Sequence, residues 1–146
     1  MNTGELTREQ IDSVFYRQTV GRIGCHAAGR TYIVPITYAY DGEFIYCHSL
    51  PGMKISMMRE NPNICFEVEE VENKRDWRTV IAWGTYHELE GEAAAKAIRL
   101  LIKQNIPYLT NQIVTPTGKH RTHQPKESPV LFRIRVIDCT GRFERY

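Results

Sequence analysis

The chain has 146 residues, room for one domain with a real core and little room for two. Lys and Arg total 19 against 17 Asp and Glu, and the resulting net charge of +2 argues against a general nucleic-acid binder, though a local cationic pocket remains open. Hydrophobic content of 42% and charged content of 25% are ordinary for a soluble globular protein.

The N-terminal stretch MNTGELTREQ is polar and reads as neither a secretory leader nor a membrane anchor. Ile11, Val14 and Phe15 recur at helical spacing, which predicts a helix over LTREQIDSVFYRQ with Thr7 as cap and Gln10 reaching back to it. VGRIGCHA reads as a glycine-interrupted strand. Two β-rich runs then flank Asp41-Gly42, a pair that tolerates positive φ and signals a hairpin. Pro35 cannot donate to a ladder, so it marks an edge, a bulge or a place where pairing stops. Tyr32, Tyr38 and Tyr40 share a face, and its plain reading is an exposed or interfacial aromatic surface. PGMKISMMRENP predicts a short helix stopped by Asn61-Pro62.

In NICFEVEEVE, Ile64, Phe66 and Val68 face one way while Glu67 and Glu69 face the other, and ENKRDW follows as a polar loop. RTVIAWGTYHELEG is a long strand whose Val80–Trp83 run is apolar on both faces, so both faces must be covered. EGEAAAKAIRLLIKQN is the plainest helix, with Ala94, Ala97, Ile98, Leu101 and Ile102 on one stripe. Residues from Ile106 to Pro129 read as a long irregular segment with four prolines, of a kind that tends to be functional or mobile. VLFRIRVIDCTGRFERY closes the chain as a strand with Arg133 and Arg135 on one face. The sum is about six strands, mostly in hairpins, and about three helices. It predicts a mainly β fold, an antiparallel barrel with helices packed outside, as a single domain over 1–146. No apolar run approaches the roughly 20 residues a membrane-spanning helix needs. Cys25, Cys47, Cys65 and Cys139 form no C-x-x-C pair; they read as reduced, mostly buried thiols of a cytoplasmic protein, with no metal site.

YCHSLPGMK, from Tyr46 to Lys54, gathers a hydroxyl, a turn and a lysine at the mouth of a helix. A phosphate monoester is held by such a set: N–H groups at a helix N-terminus, a short hydroxyl and a cation. Gly52 lets the backbone come close, Ser49 supplies the hydroxyl and Lys54 the point charge. The plainer reading is a surface turn in which His48 and Ser49 cap the helix and Lys54 faces water. Pro35, one hairpin partner away, adds a broken ladder whose peptide groups suit the edge of something planar and polar.

The ordered runs GRIG, YIVPITYAYDG, YCHSLPGMK, MRENPNICFEV and DWRTVIAWG, spread between Gly21 and Gly91, resemble the flavin-binding split-barrel family. Its best-known member is pyridoxamine 5'-phosphate oxidase, and the nearer likeness is to the nitroimidazole-resistance branch. The resemblance implies a six-stranded antiparallel split barrel and a homodimer with two FMN molecules at the subunit interface. It implies an FMN-dependent oxidoreductase acting on a small molecule, with nitroaromatic reduction as the branch's activity and a nicotinamide nucleotide as one possible donor. Carried over, the strand residues Ile33, Val34, Pro35, Ile36, Thr37 and Tyr38 contact the ring and ribityl chain through their backbone. His48 and Ser49 lie beside the ribityl phosphate, Gly52, Met53 and Lys54 hold it, and Thr79 reaches the flavin from the same or the partner subunit. The Val80–Trp83 strand then lines the barrel on one face and meets the second subunit on the other, with Trp83 in core or interface. The oxidase itself uses adjacent Arg and Lys at the phosphate, where this chain has Met53 before Lys54. It also lacks the oxidase's C-terminal substrate motif, so flavin binding is implied more strongly than vitamin B6 oxidation.

His48 is the one candidate for proton transfer, by its titration range and its place beside the cofactor. The alternative is a non-catalytic flavin or haem binder on the same fold, haem requiring a histidine ligand in an apolar slot. A barrel that has lost its ligand is a third reading. His120 and His123 sit on a proline-rich loop unsuited to a rigid metal site and are read, with Arg121, as folding over the cofactor. His26 is expected buried and hydrogen-bonded, and His87 solvated. The run Glu67, Glu69, Glu70 and Glu72 is expected as an exposed face.

Overall fold

The structure, a computed structural model, describes the backbone of residues 1–109 and 128–146, and the side chains of these except 106–109. Helix α1 (Arg8–Arg17) begins as the sequence requires. The Thr7 hydroxyl accepts from the Gln10 N–H at 3.3 Å, and the Gln10 side chain accepts from the Thr7 N–H at 2.8 Å, closing a capping box. Its stripe of Ile11, Val14 and Phe15 is buried in the main core.

Six strands close into an antiparallel ring: β2 (Val20–Ala27), β3 (Arg30–Tyr40), β4 (Phe44–Ser49), β5 (Asn63–Asn73), β6 (Asp76–Leu89) and β7 (Val130–Arg145). Around the ring the order is β7-β4-β3-β2-β5-β6, and β6 pairs back onto β7. The expected barrel is therefore present. A seventh strand, β1 (Asn2–Glu5), pairs with the far end of β7; its polar residues carry no alternation to announce it. The run ENKRDW is not a loop. Strands β5 and β6 stay paired as far as Asn73 and Asp76, so only a tight turn separates them.

Period-2 alternation sends Ile23, Ile45, Phe66, Val68, Val80, Phe132 and Ile134 into the ring, all fully buried. Tyr38 and Tyr40 join them. The tyrosine face of β3 is thus core rather than surface: Tyr40 stacks on Phe15 with ring centroids 4.6 Å apart, and the Tyr38 hydroxyl donates to the Phe15 carbonyl at 2.7 Å. A hydroxyl with a partner can be buried, and α1 supplies the partner. Helix α2 (Met53–Glu60) buries Ile55, Met57 and Met58 in the same core and ends at Asn61, before Pro62.

Helix α3 (Gly91–Leu109) runs four residues beyond the expected Asn105, taking in the start of the segment read as irregular. Residues 110–127, with His120, Arg121 and His123, lie outside the described residues. Ala97 and Leu101 of α3 bury against Ala39 and Tyr46 in a second, smaller core on the outside of the barrel. No helix among the described residues is long and apolar enough to cross a membrane. All four cysteines are free: Cys25 and Cys47 are buried, Cys65 and Cys139 half-buried.

Candidate functional site

Strands β3 and β4 pair only over Tyr38–Tyr40 and Ile45–Cys47, although β3 begins at Arg30 and β4 continues to Ser49. Beyond Tyr38 and Cys47 the two strands split. The Tyr38 N–H donates to the Thr19 carbonyl at 2.9 Å, on the β2 side. By alternation, Val34 and Ile36 also turn their peptide groups to β2, while Ile33, Pro35 and Thr37 turn theirs to the open edge. The N–H that Pro35 lacks falls on that open edge, so no ladder bond is lost. Proline here lies on the unpaired edge of a strand whose other edge is paired with β2.

This division refines the strand contacts inferred from sequence. Ile33, Pro35 and Thr37 are the residues able to meet a ligand through backbone groups. Tyr38 is not, because its N–H is engaged with Thr19 and its carbonyl accepts from the Asn105 amide at 3.0 Å. One residue pair further, the Gln104 amide exchanges two hydrogen bonds with the Tyr40 backbone, at 2.9 and 2.8 Å. Gln104 and Asn105 thereby continue the β3 ladder where β2 runs out. Nothing in a polar pair near a helix end signals this; it requires α3 to cross that particular strand end.

Helix α2 starts at the mouth of the split, and its N-terminus is left uncapped. Gly52 is the cap residue and offers no side-chain hydrogen bond. The Ser49 hydroxyl does not cap; it donates to the Leu50 carbonyl at 2.9 Å. The first ladder bond runs from the Ser56 N–H to the Gly52 carbonyl, which leaves the N–H groups of Met53, Lys54 and Ile55 ahead of it. A Cβ built at Gly52 would meet only the Leu50 carbonyl, at 4.0 Å, so the ground before these N–H groups is open. The first turn has no acidic residue. Lys54 makes no ion pair among the described residues. Its positive charge acts to lower the pKa of the Cys25 and Cys47 thiols, against the larger upward effect of their burial. Converging N–H groups, the positive end of a helix and an unpaired ammonium suit an anion. The reading in which His48 and Ser49 merely cap the helix does not hold.

His48 lies on the opposite face of β4 from Cys47, toward α3, and burial alone depresses its pKa below the ordinary 6.5. The unfolded chain takes up that proton near pH 6.5 while the native state resists it, so stability is lost as pH falls from about 7 toward 5. The variant His48→Gln is expected to lose less stability than wild type across this interval, read as urea midpoints at the two pH values. Equal losses would mean His48 is solvated. His26 is exposed rather than buried, its Nδ1 lying 3.0 Å from the Thr31 hydroxyl; it sits on the outward phase of β2, between buried Cys25 and Ala27. His87 is exposed, as alternation requires.

Thr79 is not gathered into this constellation within the chain. It stands on the outer face of β6, its hydroxyl 3.4 Å from the Glu67 carboxylate, with β5 and β2 between it and β3. The same outer phase of β6 carries Trp83, 44% exposed. Nearby, the β6–β7 register slips between Trp83 and Gly84, and the extra residue, Ile137, is pushed outward to 70% exposure. Ile33, Trp83, Ile137 and the half-buried Cys65 line a largely apolar hollow of about 400 Å³ on this face. The acidic run is only partly an exposed face: Glu67 and Glu69 pair with Arg22, while Glu70 pairs with Arg17 at 2.9 Å.

The sequence pattern of the pyridoxamine 5'-phosphate oxidase family matches residues 7–143, nearly the whole chain. An uncharacterized protein of Rhizobium meliloti strain 1021 is 39% identical over 84 residues, a match covering 58% of this chain and 56% of that protein. Among solved structures, an FAD-binding protein of Mesorhizobium loti superposes with a TM-score of 0.77 at 29% identity, over 100% of this chain and 99% of that one. A candidate 5-nitroimidazole antibiotic resistance protein of Bacteroides thetaiotaomicron shares the fold, with a TM-score of 0.72 at 18% identity over 97% and 87% of the two chains.

Proposed function

Because the chain belongs to the pyridoxamine 5'-phosphate oxidase family, we propose that it is an FMN-dependent oxidoreductase acting as a homodimer. The observation that carries the reading is the uncapped N-terminus of α2 with Lys54, set in the split beside the open edge of β3. Lys54, Ser49 and the N–H groups of Met53 to Ile55 hold the phosphate, with Gly52 leaving room for it. Peptide groups of Ile33, Pro35 and Thr37 meet the polar edge of the ring and the ribityl chain. The bound flavin supplies the electron chemistry, and the protein binds it, orients it and shapes access to it. His48 stays uncharged at neutral pH, beside the cofactor and free to exchange a hydrogen bond with substrate. Kinship with the nitroimidazole-resistance fold makes nitroaromatic compounds reasonable first acceptors to try.

Purified protein is expected to be yellow, absorbing near about 450 nm, and to release FMN rather than FAD on denaturation, read by mass spectrometry. A nicotinamide donor should bleach that band without oxygen, and a nitroaromatic compound should restore it. Protein that carries no flavin and takes up none from excess FMN would refute the reading.

The dimer rests on the outer face. Ile33, Trp83 and Ile137 expose 65%, 44% and 70% of their surface in one apolar patch, more than an isolated barrel needs to show. Thr79 stands on the same outer face of β6 as Trp83, so in this reading it serves the flavin of the partner rather than that of its own chain. Sedimentation is expected to give twice the 17.0 kDa chain mass, and Trp83→Arg to shift the protein to monomer. A wild type that sediments as monomer at every concentration removes the dimer.

A further inference from the structure

Strand β4 separates two hydrophobic layers. Ile45 and Cys47 face the barrel interior, whereas Tyr46 faces α3 in the second core, with half-buried Phe44 packed against it. His48 follows Tyr46 by two residues and shares its face. Over Tyr46 that layer is tightly closed by Ala97 and Leu101, which are 1% and 2% exposed. Past Leu101 it opens. His48, Leu50, Ile98, Leu101, Pro129 and Leu131 line a slot of about 490 Å³, with Leu131 directly across the β4–β7 ladder from His48.

The chemistry of this slot is one-sided. Its lining contains no Asp, Glu, Lys or Arg among the described residues. Two side chains there can hydrogen-bond, His48 and Ser49; the Ser49 hydroxyl donates to the Leu50 carbonyl and is the group that would turn to a bound phosphate. Among the described residues neither a charge nor a hydrogen-bond partner acts on the His48 ring, which is perturbed by burial. A neutral imidazole offers one donor and one acceptor nitrogen. The volume falls in the range of small-molecule sites, and apolar walls with one convergent polar group are how such sites choose their ligand. The slot also opens at the end of β4 whose other face carries the anion cradle, just where β3 and β4 part.

We propose that this slot is the substrate pocket, and that it selects a flat, uncharged, largely apolar molecule with one oxygen placed to accept a hydrogen bond from His48. Ile98 lines the slot and is 39% exposed, so a charge substituted there would face both the ligand and water. A substrate that must place a phosphate or carboxylate inside the slot is disfavoured, because the described walls offer that charge no partner, whereas a nicotinamide donor can keep its phosphates outside it. This inference rests on the flavin reading, since a substrate must lie beside the ring.

The test uses 1,4-naphthoquinone and its 2-sulfonate as neutral and charged probes built on one ring system. Flavin content is read by absorbance in every sample, and probe binding by equilibrium dialysis of both flavin-loaded and flavin-free protein. The neutral probe is expected to bind wild type at least roughly tenfold more tightly than the sulfonate. Ile98→Asp should weaken the neutral probe about tenfold at unchanged flavin content. Ile98→Lys should bring the sulfonate to parity with the neutral probe, a gain that misfolding cannot mimic. Equal binding of the two probes by wild type, or no response to either Ile98 variant, overturns the pocket while leaving flavin binding intact. A protein that takes no flavin but still discriminates between the probes refutes the flavin reading and keeps the slot as a binding site for neutral apolar molecules.

Discussion

Gly84→Ala is expected to destabilise the protein by about 3 kcal/mol, at the upper end of what one added methyl does in a packed interior. A Cβ at this position would lie 2.3 Å from the Arg135 carbonyl oxygen and 2.8 Å from the Ile134 Cγ2. The oxygen belongs to the backbone of β7, so no side chain can swing away. The strands themselves must part, and they must do so at the register slip between Trp83 and Gly84, on the seam where β6 closes the ring against β7. For a chain of this length the loss corresponds to a fall of roughly 10 °C in Tm, checked by thermal and urea unfolding. Gly29→Ala is the comparison. Its Cβ would meet nothing within 4 Å, and only the positive φ of 74° opposes it, for about 1 kcal/mol. Should both variants unfold at the wild-type midpoint, the close approach at the bulge is not a constraint.

Lys54→Ala is expected to raise the Kd for FMN about 30-fold and that for riboflavin less than about threefold. The two ligands differ by the phosphate alone, so the ratio isolates the cradle from the ring. A charge-assisted hydrogen bond from the ammonium contributes about 2 kcal/mol, which sets the size of the effect. The helix N–H groups remain in the variant, so phosphate affinity falls without vanishing. Ser49→Ala should act in the same direction and more weakly, since a neutral hydroxyl gives a weaker bond than a cation. Calorimetric titration of flavin-free protein reads all of these. Equal losses for FMN and riboflavin would place the lysine at the ring or in the fold, and no loss for either would remove it from the site.

Much of this molecule could be read from local pattern. The capping box of Thr7 and Gln10, the Asp41-Gly42 hairpin, the period-2 burial of Ile64, Phe66 and Val68 and the stop at Asn61-Pro62 each depend on residues close in the chain. Their physics is short-range, so the sequence carries it whole. The passage from strand end through a turn to a helix start at Ser49–Lys54 was legible for the same reason: these features are neighbours in the chain. Pro35 could be recognised as a break in pairing, though not which edge it broke.

What needed the tertiary structure was every question of what lies opposite. Tyr38 and Tyr40 are polar enough to face water, and they are core because Phe15 and Asp12 of α1 arrive to cover them and accept their hydroxyls. Gln104 and Asn105 serve as a substitute strand because α3 happens to cross the end of β3. β1 exists because β7 overhangs the ring, and Ile137 points outward because the ladder slips by one residue beside it. Long-range partners are set by closure of the barrel, and a one-dimensional pattern records only how often a residue turns inward, not whom it meets there.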